Sequence, residues 1–357
     1  MTPVRTRFGA RRVGGLLAAA FLLFGGSPFC RAAAPAPGDL QTPPLQDGNP
    51  VKVAVSLHII NIASIDEVKE QFEIDAYLMT RWIDLRLAFT PTRPTDQHRQ
   101  YSRAQVWIPS FEIVNAVAPR QRDDLSVEGD PDGSVSYVER FPALLSSKFM
   151  LRRFPFDSQS LLIIVHPYLR QEGQLGFTAY SREVWATREF TQYSSLAQWN
   201  LQTVELLIGT SELYGGRQIP EARFTINVER RYAFYLWKVF LPLSLMVVLS
   251  WAVFWIEARD LSNQVQIAIT TILTVIAFAF AISATMPRVP YLTYIDAFFL
   301  VCYVFVFVAI VELMAVHLSH RTERSTDLGI QIQRISRWAV PLAFLVTNLI
   351  LIEHFLR

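Results

Sequence analysis

Cysteine is almost absent from this chain. Cys30 and Cys302 are its only two, which excludes a disulfide framework and a cysteine-rich metal site. Charge is sparse as well. Charged residues make up 18% of the 357 residues, against about 25% in an ordinary soluble protein. Neither sign dominates, with 33 Lys plus Arg against 31 Asp plus Glu. Nucleic-acid binding calls for a strong basic excess, so no nucleic-acid partner is expected. Disorder calls for low hydrophobicity with high net charge, and 51% apolar residues with a net charge of +2 do not fit it. Catalytic signatures are missing too. There is no G-x-S-x-G elbow, no H-E-x-x-H and no P-loop. No enzyme activity, cofactor or metal is therefore expected. His317-Leu318-Ser319-His320 has a spacing that could touch a metal. It lacks a carboxylate or cysteine companion and reads as a loop pair at a membrane surface.

What is present is unevenly distributed. Arg5, Arg7, Arg11 and Arg12 precede an apolar stretch at 13–24 and a small-residue tract at 30–34. That pattern predicts an export signal over 1–34, since the apolar part is short for a span. Residues 35–50, rich in Pro, Gly and Asp, read as a linker. Long apolar runs occupy 234–256, 265–286, 294–318 and 338–352. About 20 residues at 1.5 Å rise cross a hydrocarbon layer of roughly 30 Å, so four membrane helices are expected. The connection between the third and fourth carries Arg321, Arg324, Arg334 and Arg337 against Glu323 and Asp327. This excess places it in the cytoplasm. Both chain ends then lie outside, as an export signal requires.

Residues 51–231 hold no run long enough to span. Stretches 51–57, 72–78 and 224–228 alternate apolar with polar residues, and 161–165 is continuously apolar. Asp130-Pro131-Asp132-Gly133 and Tyr214-Gly215-Gly216 supply turns. The expected fold is an extracellular β-sandwich over 51–231 followed by a four-helix membrane domain over 232–357.

The second run differs from the others. Steps of four and three from Gln266 reach Thr270, Leu273, Ala277, Phe280 and Ala284, all on one helical face. The face is polar at its inner end and apolar further out. It would suit a wet lumen between several copies, with Leu273 and Phe280 closing it by dewetting. Ordinary helix packing is the other reading, because Thr and Gln also bond between spans.

Several segments then read together. Arg153-Phe154-Pro155-Phe156-Asp157 contains an F-P-F-D core, and residues 82–89 follow W-x-D-x-R-L-x-F. Trp107-Ile108-Pro109 with Asn115, Tyr235-Leu236-Trp237 with Leu241-Pro242-Leu243, and Met286-Pro287-Arg288-Val289-Pro290-Tyr291 follow in order. Together these resemble the pentameric ligand-gated ion channels, the Cys-loop receptor superfamily. The bacterial branch fits best, since the loop-cysteine positions are Ser147 and Leu161 and no large cytoplasmic domain separates the last two spans.

The resemblance implies a homopentamer in the inner (cell) membrane, surrounded by lipid. A small-molecule agonist or protons would act between neighbouring sandwiches, and ions would pass along the second helices. It matches Tyr168 to the principal aromatic of the agonist box, His166 to a carboxylate position of an amine-activated relative, and Tyr77 to the neighbouring subunit's aromatic. Tyr214 falls in the capping hairpin. Val114 stands where acetylcholine receptors have an aromatic, which leaves the box incomplete. A histidine titrates near neutrality, so His166 could carry a proton response. Trp82 and Trp107 are expected to be structural. Gating coupling is expected from Asp66 or Glu67, Asp157, Arg230, Arg288 and Pro290. Inner-mouth selectivity is expected from Ser262 or Asn263, where cation-selective relatives carry Glu, and from Asp260 as a displaced acidic ring opposed by Arg259. Monovalent cations are expected, because the inner face has no basic residue between Leu261 and Met286. The alternative is a membrane-anchored periplasmic sensor without conductance.

Overall fold

The computed structural model describes residues 39–45, 48–119, 123–168, 173–179, 185–186, 198–213, 216–255, 261–284, 288–320 and 326–356. The expected export signal, Tyr214 and Asp260 lie outside the described residues. The described strands are β1 (Val51–Asp66), β2 (Gln71–Ile83), β3 (Arg99–Gln100), β4 (Phe111–Ile113), β5 (Asp123–Gly129), β6 (Ser134–Ser146), β7 (Ser158–Pro167), β8 (Leu175–Ala179), β9 (Trp185–Ala186), β10 (Trp199–Leu213) and β11 (Arg217–Arg230). They form two sheets. The larger runs β3-β5-β6-β2-β1-β8, with β9 also paired to β1, and the smaller runs β10-β11-β7-β4.

Alternation decides which side of each sheet faces inward. In β2, Phe72, Ile74, Ala76, Leu78 and Trp82 are buried, so Tyr77 between them points outward. In β7, Leu161, Ile163 and Val165 are buried, which turns His166 and Tyr168 to the outer side. The buried sides face each other around one apolar core, the sandwich that the alternation predicts. Trp82 and Trp107 meet edge to face inside it at 5.7 Å. Asn115 ties the sheets together. Its amide donates to the carbonyls of Ser146 (2.8 Å) and Leu162 (2.6 Å), and its Oδ1 accepts from the Ile164 N–H at 3.1 Å. The turn between β5 and β6 needs its glycine. Gly133 has φ +85°, and a Cβ there would meet the Asp84 carbonyl at 2.9 Å.

Four described helices are long and apolar enough to cross a membrane. The first spans Ala233–Ser250 and continues as a tight turn, Trp251–Trp255. Between Leu236 and Phe240 it widens to a π-turn just ahead of Pro242. Proline brings no N–H to the ladder and crowds the carbonyl four residues back, and a wide turn relieves both. The second, third and fourth helices are Leu261–Ser283, Tyr294–His320 and Thr326–Leu356. The fourth begins well before its apolar run at 338–352. Its first turns are polar (Thr326, Asp327, Gln331, Gln333, Arg334), so hydropathy misses them although the backbone is helical. The third helix reaches His320, which puts His317 in its last turns and corrects the loop assignment of that pair.

Candidate ligand, junction and pore sites

Three regions draw the named residues together. The first is the outer face of the smaller sheet. His166 on β7 lies opposite Glu112 of β4 in register, and Glu221 flanks it on β11. The His166 Nε2 sits 3.0 Å from Glu221 Oε2, and Arg223 Nη2 sits 2.7 Å from Glu221 Oε1. Burial alone would raise the Glu221 carboxyl. The His166 hydrogen bond and the Arg223 charge outweigh it, and its pKa lies below the ordinary value. Tyr168, two residues beyond His166, is 48% exposed, and its N–H donates to the Ser110 carbonyl at 2.9 Å. Val114 is also exposed.

Tyr77 lies elsewhere, on the outer face of the larger sheet. It stacks on His58 with ring centroids 6.0 Å apart, and burial lowers the pKa of His58. Arg140, opposite Tyr77 in register, holds Asp75 with two bonds of 3.1 and 2.6 Å. Tyr77 and the Tyr168–His166 pair therefore occupy opposite outer faces of one sandwich, and one subunit does not bring them together. Sequence reasoning missed Glu112, Glu221, Arg223 and Arg140. Their role comes from cross-strand register, which no local pattern signals.

The second region is the junction between sandwich and helices. Arg230, the last residue of β11, is 2% exposed. Its Nε and Nη2 donate to the two carboxylate oxygens of Asp157 at 2.7 and 3.2 Å, and Nη1 donates to Glu67 at 2.8 Å. The guanidinium lies over the Phe154 ring at 4.7 Å and the Trp199 ring at 4.1 Å. Burial alone would lower the Arg230 pKa, but Asp157 and then Glu67 raise it above the usual value. Of the two acids named for this loop, Glu67 is the one that meets Arg230. Asp66 instead closes the β1–β2 turn, accepting from the Lys69 N–H at 3.0 Å and pairing its Nζ at 3.1 Å. Arg288 and Pro290 are exposed on the segment after the second helix and take no part in the bonds of Arg230. That segment reaches the sandwich through Tyr291 and Tyr294. The Leu151 N–H donates to the Tyr291 hydroxyl at 3.1 Å, and the Tyr294 N–H donates to the Arg152 carbonyl at 2.9 Å.

The third region is the second helix. Ala268, Thr271 and Val275 are buried against the rest of the subunit, whereas Leu273 and Phe280 are 60% and 73% exposed. Gln266, Thr270, Ala277 and Ala284 are exposed on the same side. The hydroxyls of Thr270 and Thr274 donate to the Gln266 and Thr270 carbonyls at 2.8 Å. A carbonyl cannot donate, so both hydroxyl protons are committed to the helix and the oxygen lone pairs remain available to a ligand or ion. Ser262 and Asn263 belong to the first turn of this helix.

Fold and junction define a multi-pass membrane protein whose extracellular β-sandwich is bonded directly to its helical domain. Residues 39–232 match the neurotransmitter-gated ion-channel ligand binding domain, and residues 239–329 match the neurotransmitter-gated ion-channel transmembrane region. The chain belongs to this family of ligand-gated ion channels, which is not enzymatic. It is 29% identical over 315 residues to a proton-gated ion channel of Gloeobacter violaceus, covering 87% of this chain and 84% of the relative. It is 29% identical over 278 residues to gamma-aminobutyric acid receptor subunit rho-3 of Homo sapiens, covering 76% of this chain and 58% of that protein. It is 27% identical over 293 residues to pH-sensitive chloride channel 2 of Anopheles gambiae, covering 78% of this chain and 47% of that protein. The chain thus spans about half the length of these two animal proteins.

Proposed function

We propose that this chain is the subunit of a homopentameric channel of the inner membrane. A small ligand or protons, acting between neighbouring β-sandwiches, opens a central pore that passes monovalent cations. The observation that carries this reading is the two-sided second helix. One side packs against its own subunit, and the other leaves the stripe from Gln266 to Ala284 bare although it is polar at its inner end. Lipid is a poor partner for Gln266 and Thr270, while a water-filled axis between copies suits them.

The ligand residues support the same arrangement. Tyr168 and His166 lie on one outer face and Tyr77 on the other, so they form one site only when the front of one copy meets the back of the next. A front-to-back contact that closes on itself makes a ring. The bacterial and mosquito relatives are named proton-gated and pH-sensitive, which supports a proton acting at the His166–Glu221–Arg223 chain. The Thr270 and Thr274 hydroxyls turn oxygen lone pairs rather than protons outward, and this favours cations. At the junction, Arg230 with Asp157 and Glu67 would carry closure at the ligand site to the helices, with Arg288 and Pro290 on the receiving segment. The energy transmitted is the ligand's differential affinity for the closed and open states.

Purified protein in a planar bilayer, challenged with acid steps, small amines and small carboxylates under a salt gradient, tests this. Currents reversing toward the cation equilibrium potential are expected. Reversal toward chloride would overturn the cation assignment. Silence under every stimulus would favour a sensor that signals without conductance.

A further inference from the structure

The fourth helix lies on the outside of the subunit, with only 6% of its apolar window buried. At its inner end, however, Arg337 grips the first helix. Its Nε donates to the Phe254 carbonyl at 2.8 Å, and its guanidinium lies over the Trp255 ring at 4.9 Å.

An arginine at the inner end of a membrane helix brings a fork of N–H donors that needs a partner. The partner here is a backbone group. The last carbonyls of a helix have no acceptor role within it, and Phe254 stands at the end of the turn that prolongs the first helix. Arg337 therefore caps the first helix from the fourth. Beyond Trp255, the short segment 256–260 leads to Leu261, where the pore-facing second helix begins. Whatever fixes Phe254 and Trp255 fixes one end of that connection.

We infer that Arg337 is a positioning residue for the inner mouth of the pore, acting through the Phe254 carbonyl and the Trp255 ring. The inference rests on the channel reading above. Arg337 touches no permeating ion. It sets where the second helix starts, and so the width and registry of the ring that five such starts would form.

The test is single-channel recording of the full-length protein in planar bilayers, with openings evoked by acid steps, a small primary amine or a small carboxylate. Arg337→Gln is expected to change unitary conductance and shift the reversal potential under a salt gradient. Arg337→Lys, which keeps the charge but loses the flat stacked fork, is expected to fall between the two. A residue that only holds the subunit together would lower the number of channels and leave these per-channel quantities alone. Variant channels with the parent's conductance and reversal potential would overturn the inference. If Arg337→Gln does not assemble alone, it is co-expressed with the parent. Intermediate conductance levels in mixed channels then support the inference, whereas parental levels only, or no mixed channels at any ratio, assign Arg337 to folding and overturn it. A parent that never conducts would instead remove the channel reading itself.

Discussion

Arg230 offers the sharpest quantitative test of the junction. The Arg230→Gln substitution removes a guanidinium that is 2% exposed and leaves the Asp157 carboxylate, 1% exposed at its side chain, without its charged partner. Breaking a buried pair from one side costs about 3–5 kcal/mol, because the surviving charge is buried uncompensated. For a unit of this size, about 1 kcal/mol moves a melting midpoint by roughly 2–4 °C, so the sandwich of Arg230→Gln should melt on the order of 6–20 °C lower. Asp157→Asn leaves the arginine with Glu67 as its remaining charged partner and should also cost stability, but less than Arg230→Gln. The double variant should cost less than the two together, since the buried Asp157 carboxylate is then no longer left without its partner. Trp199 provides a local readout, because its ring lies 4.1 Å from the guanidinium and its fluorescence should report loss of this packing. Single variants that melt within about 2 °C of the parent, below 1 kcal/mol on this scale, would refute the account. So would a double variant whose loss equals the sum of the singles.

Three further outcomes follow from the geometry. In cysteine scanning of the second helix, positions 266, 270, 273, 277, 280 and 284 should react with a water-soluble thiol reagent and lose current, whereas 268 and 275 should not. The native Cys302 is buried in the subunit and should stay silent, and equal labelling of both sets would remove the proposed pore stripe. His58 has a pKa lowered by burial, so the unfolded chain binds more protons below about pH 6.5. Stability should therefore decline as pH falls from there toward the lowered value, and His58→Phe, which keeps a ring against Tyr77, should flatten that decline in thermal melts. Glu221 has a lowered pKa, so its contribution is full above the ordinary carboxylate range and is lost as pH falls through the lowered value. Glu221→Gln should cost roughly 1.5–3 kcal/mol at neutral pH, with the deficit vanishing in acid; a deficit unchanged at pH 3 would contradict this.

The membrane helices were legible because hydropathy is a local property, and each apolar run carries its own signal. The sandwich was legible for a related reason, since alternation in β1, β2 and β11 records which side faces the core. The start of the fourth helix was not, because the turns before Trp338 are polar and a polar helix at a membrane surface leaves no mark in hydropathy. The partner of His166 was harder still, since Glu221 lies 55 residues away and only strand register brings it alongside. Glu67, 163 residues from Arg230, follows β1 of the other sheet, and it was named beside Arg230 only through the family resemblance. Asp66 and Glu67 show the limit well. They are adjacent acids, yet the tight turn to Lys69 claims the first and frees the second for Arg230.

The surfaces that one subunit leaves unsatisfied are consistent with each other. Its apolar residues are largely buried within the sandwich or suited to lipid on the outer helices, but three places have no such outlet. The outer face of the smaller sheet carries buried His166 and Glu221 in a chain with Arg223, beside an exposed Tyr168. The outer face of the larger sheet carries Tyr77 between His58 and Arg140. The second helix leaves Gln266 and Thr270 exposed at membrane depth. A dimer related by twofold symmetry would bury like against like, joining one of these faces to itself and leaving the other two open. The proposed ring would join the first face to the second at every contact, with the second helices around its axis. One assembly rule thus disposes of all three, and for that reason the proposed pore and the proposed ligand site stand or fall together.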